Sequence, residues 1–299
     1  MLLVVRRGKI MNNHSTATPR NSRIRIAVGA SLAGVLLLAG CAQTTVPTQA
    51  TPDPFEHVHG LAVEPGSDEI LVATHEGIYV VTEGGDMEGP IGGYDFDAMG
   101  FTITDEAWFA SGHPGPGTPA ELGSPNLGIL RSEDRGQSWD PITFTGVEDF
   151  HVLDSDPSGA LYGIGSSSFA VRVSTDRGAT WVDRAEVKAA SLAASTGRIY
   201  AATEQGVQLS SDEGATFELL PDAPVLYSLT ALLDGSLLGV GTDSMLWRSL
   251  PNGLWEVVEP VEGTVQALTT AHSGAIILVD DRGIVRIDAT GTKIIRQAR

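Results

Sequence analysis

The chain has 299 residues, 37 acidic against 19 basic, and a formal net charge of −18 with its histidines neutral. That balance excludes a surface built to hold nucleic acid or anionic lipid headgroups. A single cysteine excludes a disulfide framework.

The first stretch reads as an address. Arg20, Arg23 and Arg25 make a positive start, and residues 26–40 are an uncharged, mostly apolar run of 15. This has the form of an export signal. The alternative, a membrane-spanning helix, would want about 20 apolar residues. Leu38-Ala39-Gly40-Cys41 closes the run and resembles a bacterial lipobox. The resemblance implies that residues 1–40 are removed, that Cys41 is lipidated, and that the protein is held on the outer side of the bacterial cell membrane. Residues 1–10 add nothing such a signal needs, so the start is either Met1 or Met11. Its removal takes away six basic residues and no acid, leaving a net charge of −24 over 259 residues. Residues 41–54 then form the lipidated cysteine and a Thr/Pro/Gln-rich tether, and residues 55–299 the folded domain.

From residue 55 a plan of four strands repeats. Second strands are expected at Ile70–Ala73, Ala107–Ala110, Ala160–Gly163, Arg198–Ala201, Ser236–Gly239 and Ala275–Leu278. Third strands follow at Gly77–Val80, Gly128–Arg131, Ala170–Val173, Gly206–Leu209, Met245–Arg248 and Gly283–Arg286. Pro65-Gly66, Asp156-Pro157-Ser158-Gly159 and Asp234-Gly235 punctuate several of them as turns. Residues 186–194 have some helical character, but the repeat asks for a strand there. Residues 112–127, rich in Gly and Pro, are an insertion in the second repeat, of the kind that often lines a binding site.

Three third strands end in one pattern, Ser-x-Asp-x-Gly-x-x-aromatic. It occurs as Ser132, Asp134, Gly136, Trp139; as Ser174, Asp176, Gly178, Trp181; and as Ser210, Asp212, Gly214, Phe217. Ser and Asp oxygens can hold nearby backbone N–H groups, and Gly supplies positive φ, so the pattern is a turn. A shortened copy runs from Ser249 to Trp255. The spacing of roughly 40 residues is that of a propeller blade. The expectation is an all-β, six-bladed β-propeller with these turns on its lower face; seven blades remain the alternative.

Blade topology places His57, His59, His75, His113 and His151 on the opposite, upper face of blades 1–3, and His272 in a lower turn. Aligning the first strands makes His59, Met99 and His151 equivalent. Side-chain alternation puts His57 and His59 on one side of their strand. Glu76, Asp95, Asp97, Glu148 and Asp149 are near in sequence. Imidazole and thioether suit copper, and imidazole also suits zinc, so these five histidines with Met99 are candidate metal ligands. The other reading is polar recognition of a sugar or another small molecule. Asp97 and Asp149 are the candidate carboxylate pair if the ligand is a glycan to be cleaved.

The three turns look like the Asp boxes of bacterial-neuraminidase-repeat (BNR) propellers. The stretches His57–Leu61, Ala73–Gly77, Met99–Thr102, Ala110–Gly115 and Asp149–His151 resemble a family of bacterial lipoprotein propellers labelled glycosyl hydrolase or exo-sialidase-like. The resemblance implies an extracellular, membrane-anchored protein and a possible glycan substrate. A sialidase needs three arginines around a substrate carboxylate. Only Arg184 and Arg282 fall near the upper face by this reading, which leaves enzymatic activity undecided. The repeat is also similar to that of photosystem-II-stability-factor-like propellers, which implies the third option, a non-catalytic assembly scaffold.

Overall fold

The computed structural model describes residues 55–298, which form six four-stranded antiparallel sheets. Blade 1 is β1 (Val58–Val63), β2 (Ile70–Thr74), β3 (Gly77–Val81) and β4 (Met87–Glu88). Blade 2 is β5 (Asp97–Ile103), β6 (Trp108–His113), β7 (Ile129–Ser132) and β8 (Asp140–Thr143). Blade 3 is β9 (Phe150–Ser155), β10 (Leu161–Gly165), β11 (Ala170–Ser174) and β12 (Val182–Glu186). Blade 4 is β13 (Ala189–Ser195), β14 (Arg198–Thr203), β15 (Gly206–Ser210) and β16 (Glu218–Leu219). Blade 5 is β17 (Leu226–Ala231), β18 (Leu237–Gly241), β19 (Met245–Ser249) and β20 (Trp255–Pro260). Blade 6 is β21 (Ala267–Thr270), β22 (Ile276–Asp280), β23 (Gly283–Asp288) and β24 (Gly291–Gln297).

Each blade is a continuous meander, and the inner strands touch in a closed cycle, β1 to β5 and onward to β21, which meets β1 again. The protein is a six-bladed β-propeller, as the repeat predicts. Among the described residues there is no α-helix, only 3-10 turns at Ile91–Gly93 and Ala120–Leu122. The lipobox, Cys41 and the tether lie outside the described residues.

Burial explains the strand sequences. β2, β10, β18 and β22 are buried at every position, because neighbouring blades cover both sheet faces. They therefore read as continuous apolar runs rather than alternating ones. Outer β12, with sequence VDRAE, has no buried residue. Phe96, Phe109 and Phe150 are fully buried; each contributes about 1.5–3 kcal/mol relative to exposure. Residues 189–195 form a strand, so inter-blade packing overrides the local helical character there.

The three Ser-x-Asp-x-Gly turns share one hydrogen-bond scheme. The Gly N–H donates to the Ser hydroxyl oxygen at 2.7, 2.9 and 2.8 Å in Gly136, Gly178 and Gly214. The Ser hydroxyl donates to the Asp carboxylate, which also accepts the backbone N–H and hydroxyl of the residue four on. Arg135, Arg177 and Glu213 take left-handed φ of 58°, 61° and 58° just before each glycine. These bonds hold Asp134, Asp176 and Asp212 below the usual carboxylate range, Asp212 at about 2.

Among the described residues no strand is exchanged where blade 6 meets blade 1. The seam is a shared apolar cluster containing Val58, Leu61, Val72, Ile277 and Ile284. Polar ties reinforce it: Val58 N–H donates to Gln266 Oε1 at 2.7 Å, and Arg286 meets Glu83 at 2.8 Å. Arg296 covers the Phe55 ring at 5.2 Å, so the two ends of the described chain adjoin.

Candidate metal-binding rim

Around the axis runs a channel of about 340 Å³, lined mainly by the six inner strands. The inner strands of blades 1–5 each carry a β-bulge near their upper end. A bulge re-aims the extra side chain. The extra residues are His59, Met99, His151, Ala190 and Tyr227, of which His59, His151, Ala190 and Tyr227 line the channel. The bulge also breaks the two-residue alternation. His57 is exposed and packs edge-on against His75, ring centroids 5.0 Å apart, and the His59 ring meets the same His75 ring at 4.6 Å.

The structure divides His59, His75, His113 and His151 into two groups. In the first, His59, His75 and Asp97 place one donor atom each within 4.8 Å of the others. Asp97 Oδ2 is 2.9 Å from His75 Nδ1, and Asp97 Oδ1 is 3.3 Å from His59 Nε2. The latter two atoms are buried and make no aligned hydrogen bond to any group. Burial pushes the Asp97 carboxyl up, but His59 and His75 outweigh it and hold the group below its usual range.

The second group is His113, Asp149 and His151, again within 4.8 Å. His151 Nε2 lies 2.5 Å and His113 Nε2 3.5 Å from Asp149 Oδ2. The Asp149 side chain is only 3% exposed. Burial opposes its charge, yet the Ser166 hydroxyl, then His151 and His113, hold it below its usual range.

Both groups use one inter-blade plan. The residue after the second strand of one blade, or its last residue, faces the acid at the start of the next blade: His75 with Asp97, His113 with Asp149. Met99 is half-buried at the bulge equivalent to His151.

The other acids have different partners. Asp95 accepts Gly117 N–H at 2.7 Å and the Thr118 hydroxyl at 3.1 Å, which holds the insertion. Glu148 pairs with Arg172 and accepts the Ser167 hydroxyl at 2.5 Å. Glu76 is exposed. Arg184 corrects the sequence reading: it pairs with Glu213 at 3.1 Å and packs on Gly214, in the lower turn of blade 4. Arg282 pairs with Asp280 at 2.7 Å.

Sequence reasoning missed Ser166, Pro125 and Ser111. Ser166 holds position 75 in the repeat register, so blade-by-blade alignment could have found it. The Pro125 carbonyl faces His113 Nδ1, and Ser111 Oγ accepts the Phe150 N–H at 2.8 Å, joining blades 2 and 3 beside Asp149.

No protein-family model and no curated protein matches the chain. Among solved structures it is similar to a gluconolactonase from Xanthomonas campestris, with a TM-score of 0.57 at 11% identity over 76% of this chain and 84% of that one. It is also similar to the extracellular domain of a hybrid two-component system protein from B. thetaiotaomicron, with a TM-score of 0.50 at 13% identity. That match covers 79% of this chain but 33% of the other. YCF48 from Cyanidioschyzon merolae has a TM-score of 0.44 at 12% identity, over 63% of this chain and 66% of that one. At these identities the likeness concerns the fold.

Proposed function

We propose that this protein is an exported, lipid-anchored propeller that binds a transition metal at its upper rim, held by His59, His75 and Asp97. One observation carries the reading: His59 Nε2 and Asp97 Oδ1 are buried 3.3 Å apart and neither has an aligned hydrogen bond. Leaving a buried polar atom unsatisfied costs about 1–3 kcal/mol, more when charged. A cation seated between them, with His75 as third ligand, removes that penalty. Two imidazoles and a carboxylate suit zinc or copper(II), and three protein ligands leave a coordination position for water or a small ligand.

Glycan cleavage by Asp97 and Asp149 is less well supported. A glycosidase needs one acid with a raised pKa, whereas neighbouring imidazoles hold both carboxyls down. The anchored reading rests on Arg20–Arg25 and Cys41 in the sequence.

The test is equilibrium dialysis of residues 42–299, which contain the whole closed ring, against zinc or copper(II). Binding that falls at least tenfold in His75→Ala and Asp97→Asn supports the site. Binding at background level in the parent protein overturns it.

A further inference from the structure

We propose that His113, Asp149 and His151 form a second, separate transition-metal site, more open to solvent than the first. It extends the metal reading to different residues and does not require the first site to be occupied.

The setting of His113 is that of a metal ligand. Its Nδ1 lies 3.3 Å from the Pro125 carbonyl oxygen, which can only accept a hydrogen bond. Nδ1 therefore carries the proton, and in a neutral ring Nε2 presents a lone pair. That lone pair faces Asp149 Oδ2, itself an acceptor, at 3.5 Å. A proton shared between the two groups, or a metal ion that displaces it, relieves such a contact. Metal-bound histidines characteristically donate their other N–H to a carbonyl or carboxylate.

The carboxylate is prepared in the same way. Asp149 Oδ1 accepts the Ser166 hydroxyl at 2.5 Å, and Ser166 N–H donates to the Asp149 carbonyl at 2.9 Å. Oδ2 then faces His151 Nε2 at 2.5 Å and His113 Nε2 at 3.5 Å, the two nitrogens that would share an ion with it. The adjacent Glu148 is drawn into its own pair with Arg172, so it does not add a second carboxylate to the ligand set. The blade 2 insertion then has a physical role. Leu122 and Leu127 bury at 2% and 0% exposure, and between them the loop presents the Pro125 carbonyl that fixes His113.

The sites differ in access. His113 and His151 are 43% and 51% exposed, against 19% and 40% for His59 and His75. An ion at the second site keeps a solvent-facing side, open to water, to a small oxyanion or to exchange with a chelator. His113 stands opposite Asp97 in the β5–β6 ladder, so a single pair of strands contributes to both sites. Two imidazoles and one carboxylate again select zinc or copper(II) over calcium or magnesium.

The experiment is a zinc titration of residues 42–299 with a competing chromophoric chelator, on the parent protein, His75→Ala, His113→Ala and His151→Ala. His151 is half-exposed, so its removal tests the site without disturbing the core, and a thermal melt of each variant confirms folding. The expected result is two equivalents in the parent and one in each variant. Ser166→Ala is expected to weaken the second equivalent about 10–100-fold and spare the first. One equivalent lost in His75→Ala and kept in His113→Ala and His151→Ala overturns the second site and leaves the first standing. One equivalent lost in His113→Ala and His151→Ala but kept in His75→Ala supports the second site and overturns the first. A single equivalent lost in all three means one shared ion and overturns the proposal, as does no binding at all.

Discussion

Asp97 stands directly opposite His113 in the β5–β6 ladder, yet the two side chains belong to different donor groups. Gly112 makes this possible. Its φ is +149°, and a Cβ there would meet the Asp97 carbonyl oxygen at 1.9 Å. Gly112→Ala must therefore push the Asp97 and His113 backbones apart. Zinc affinity at both sites is expected to fall at least tenfold, about 1.4 kcal/mol each, with all six ligands present. Gly159→Ala, also at positive φ but with open space around it, is the control that should leave binding unchanged. Loss at one site alone would refute the shared-backbone account.

Beneath the second site lies the Glu148–Arg172 pair, extended by Asp183 at 2.9 Å and roofed by the Phe144 and Phe150 rings at 5.1 and 5.5 Å. Breaking a buried pair by removing one partner leaves an uncompensated charge and destabilises by about 3–5 kcal/mol. Glu148→Gln is expected to lose stability on that order in urea unfolding. The double variant Glu148→Gln/Arg172→Met should lose less than the sum of the two singles. Additive losses would mean the pair is not coupled.

Asp154 faces the channel, and its Oδ2 accepts Ala194 N–H at 2.7 Å. Burial in the channel wall pushes its carboxyl up to about 7 despite that bond. An unfolded aspartate titrates near ~3.9. The native state thus holds this proton more tightly than the unfolded chain does. The resulting stability is fully present below about pH 4 and is lost as pH rises through 7. Asp154→Asn should remove this part of the pH slope and gain on the parent by roughly 2–4 kcal/mol at pH 8. Parallel stability profiles for the two proteins between pH 4 and 8 would contradict this.

In the lower turn of blade 3, Ser174 Oγ takes the buried Gly178 N–H at 2.9 Å. Ser174→Ala strands that donor, which costs about 1–3 kcal/mol. The thermal midpoint should fall while metal stoichiometry stays as in the parent, because the turn lies on the far face. A change in stoichiometry would mean that the two faces are coupled.

The ring was legible from sequence because each blade repeats the same burial. A strand covered on both faces must be apolar almost throughout, and the turn after it must free a positive φ, so Ala170–Ser174 and Gly178 announce themselves. The histidine partition was not legible. It depends on which side chain meets the next blade, and on bulges such as the one at His59 that no local sequence pattern announces. Arg184 was misplaced because the sequence does not show its side chain turning toward Glu213 of the next blade. Ser166 escaped notice because a serine at the position of His75 carries no metal signature until Asp149 is seen beside it.

The seam between blades 6 and 1 bears on the order of the chain itself. Since no blade borrows a strand and Phe55 touches Arg296, the first blade is first only by sequence. Joining the two ends by a short linker and opening the chain between blades 4 and 5 would leave all twenty-four strands and both histidine groups with the neighbours they have now. The ring behaves as a necklace of whole units, in which a blade can be duplicated, lost or made terminal without cutting through a sheet.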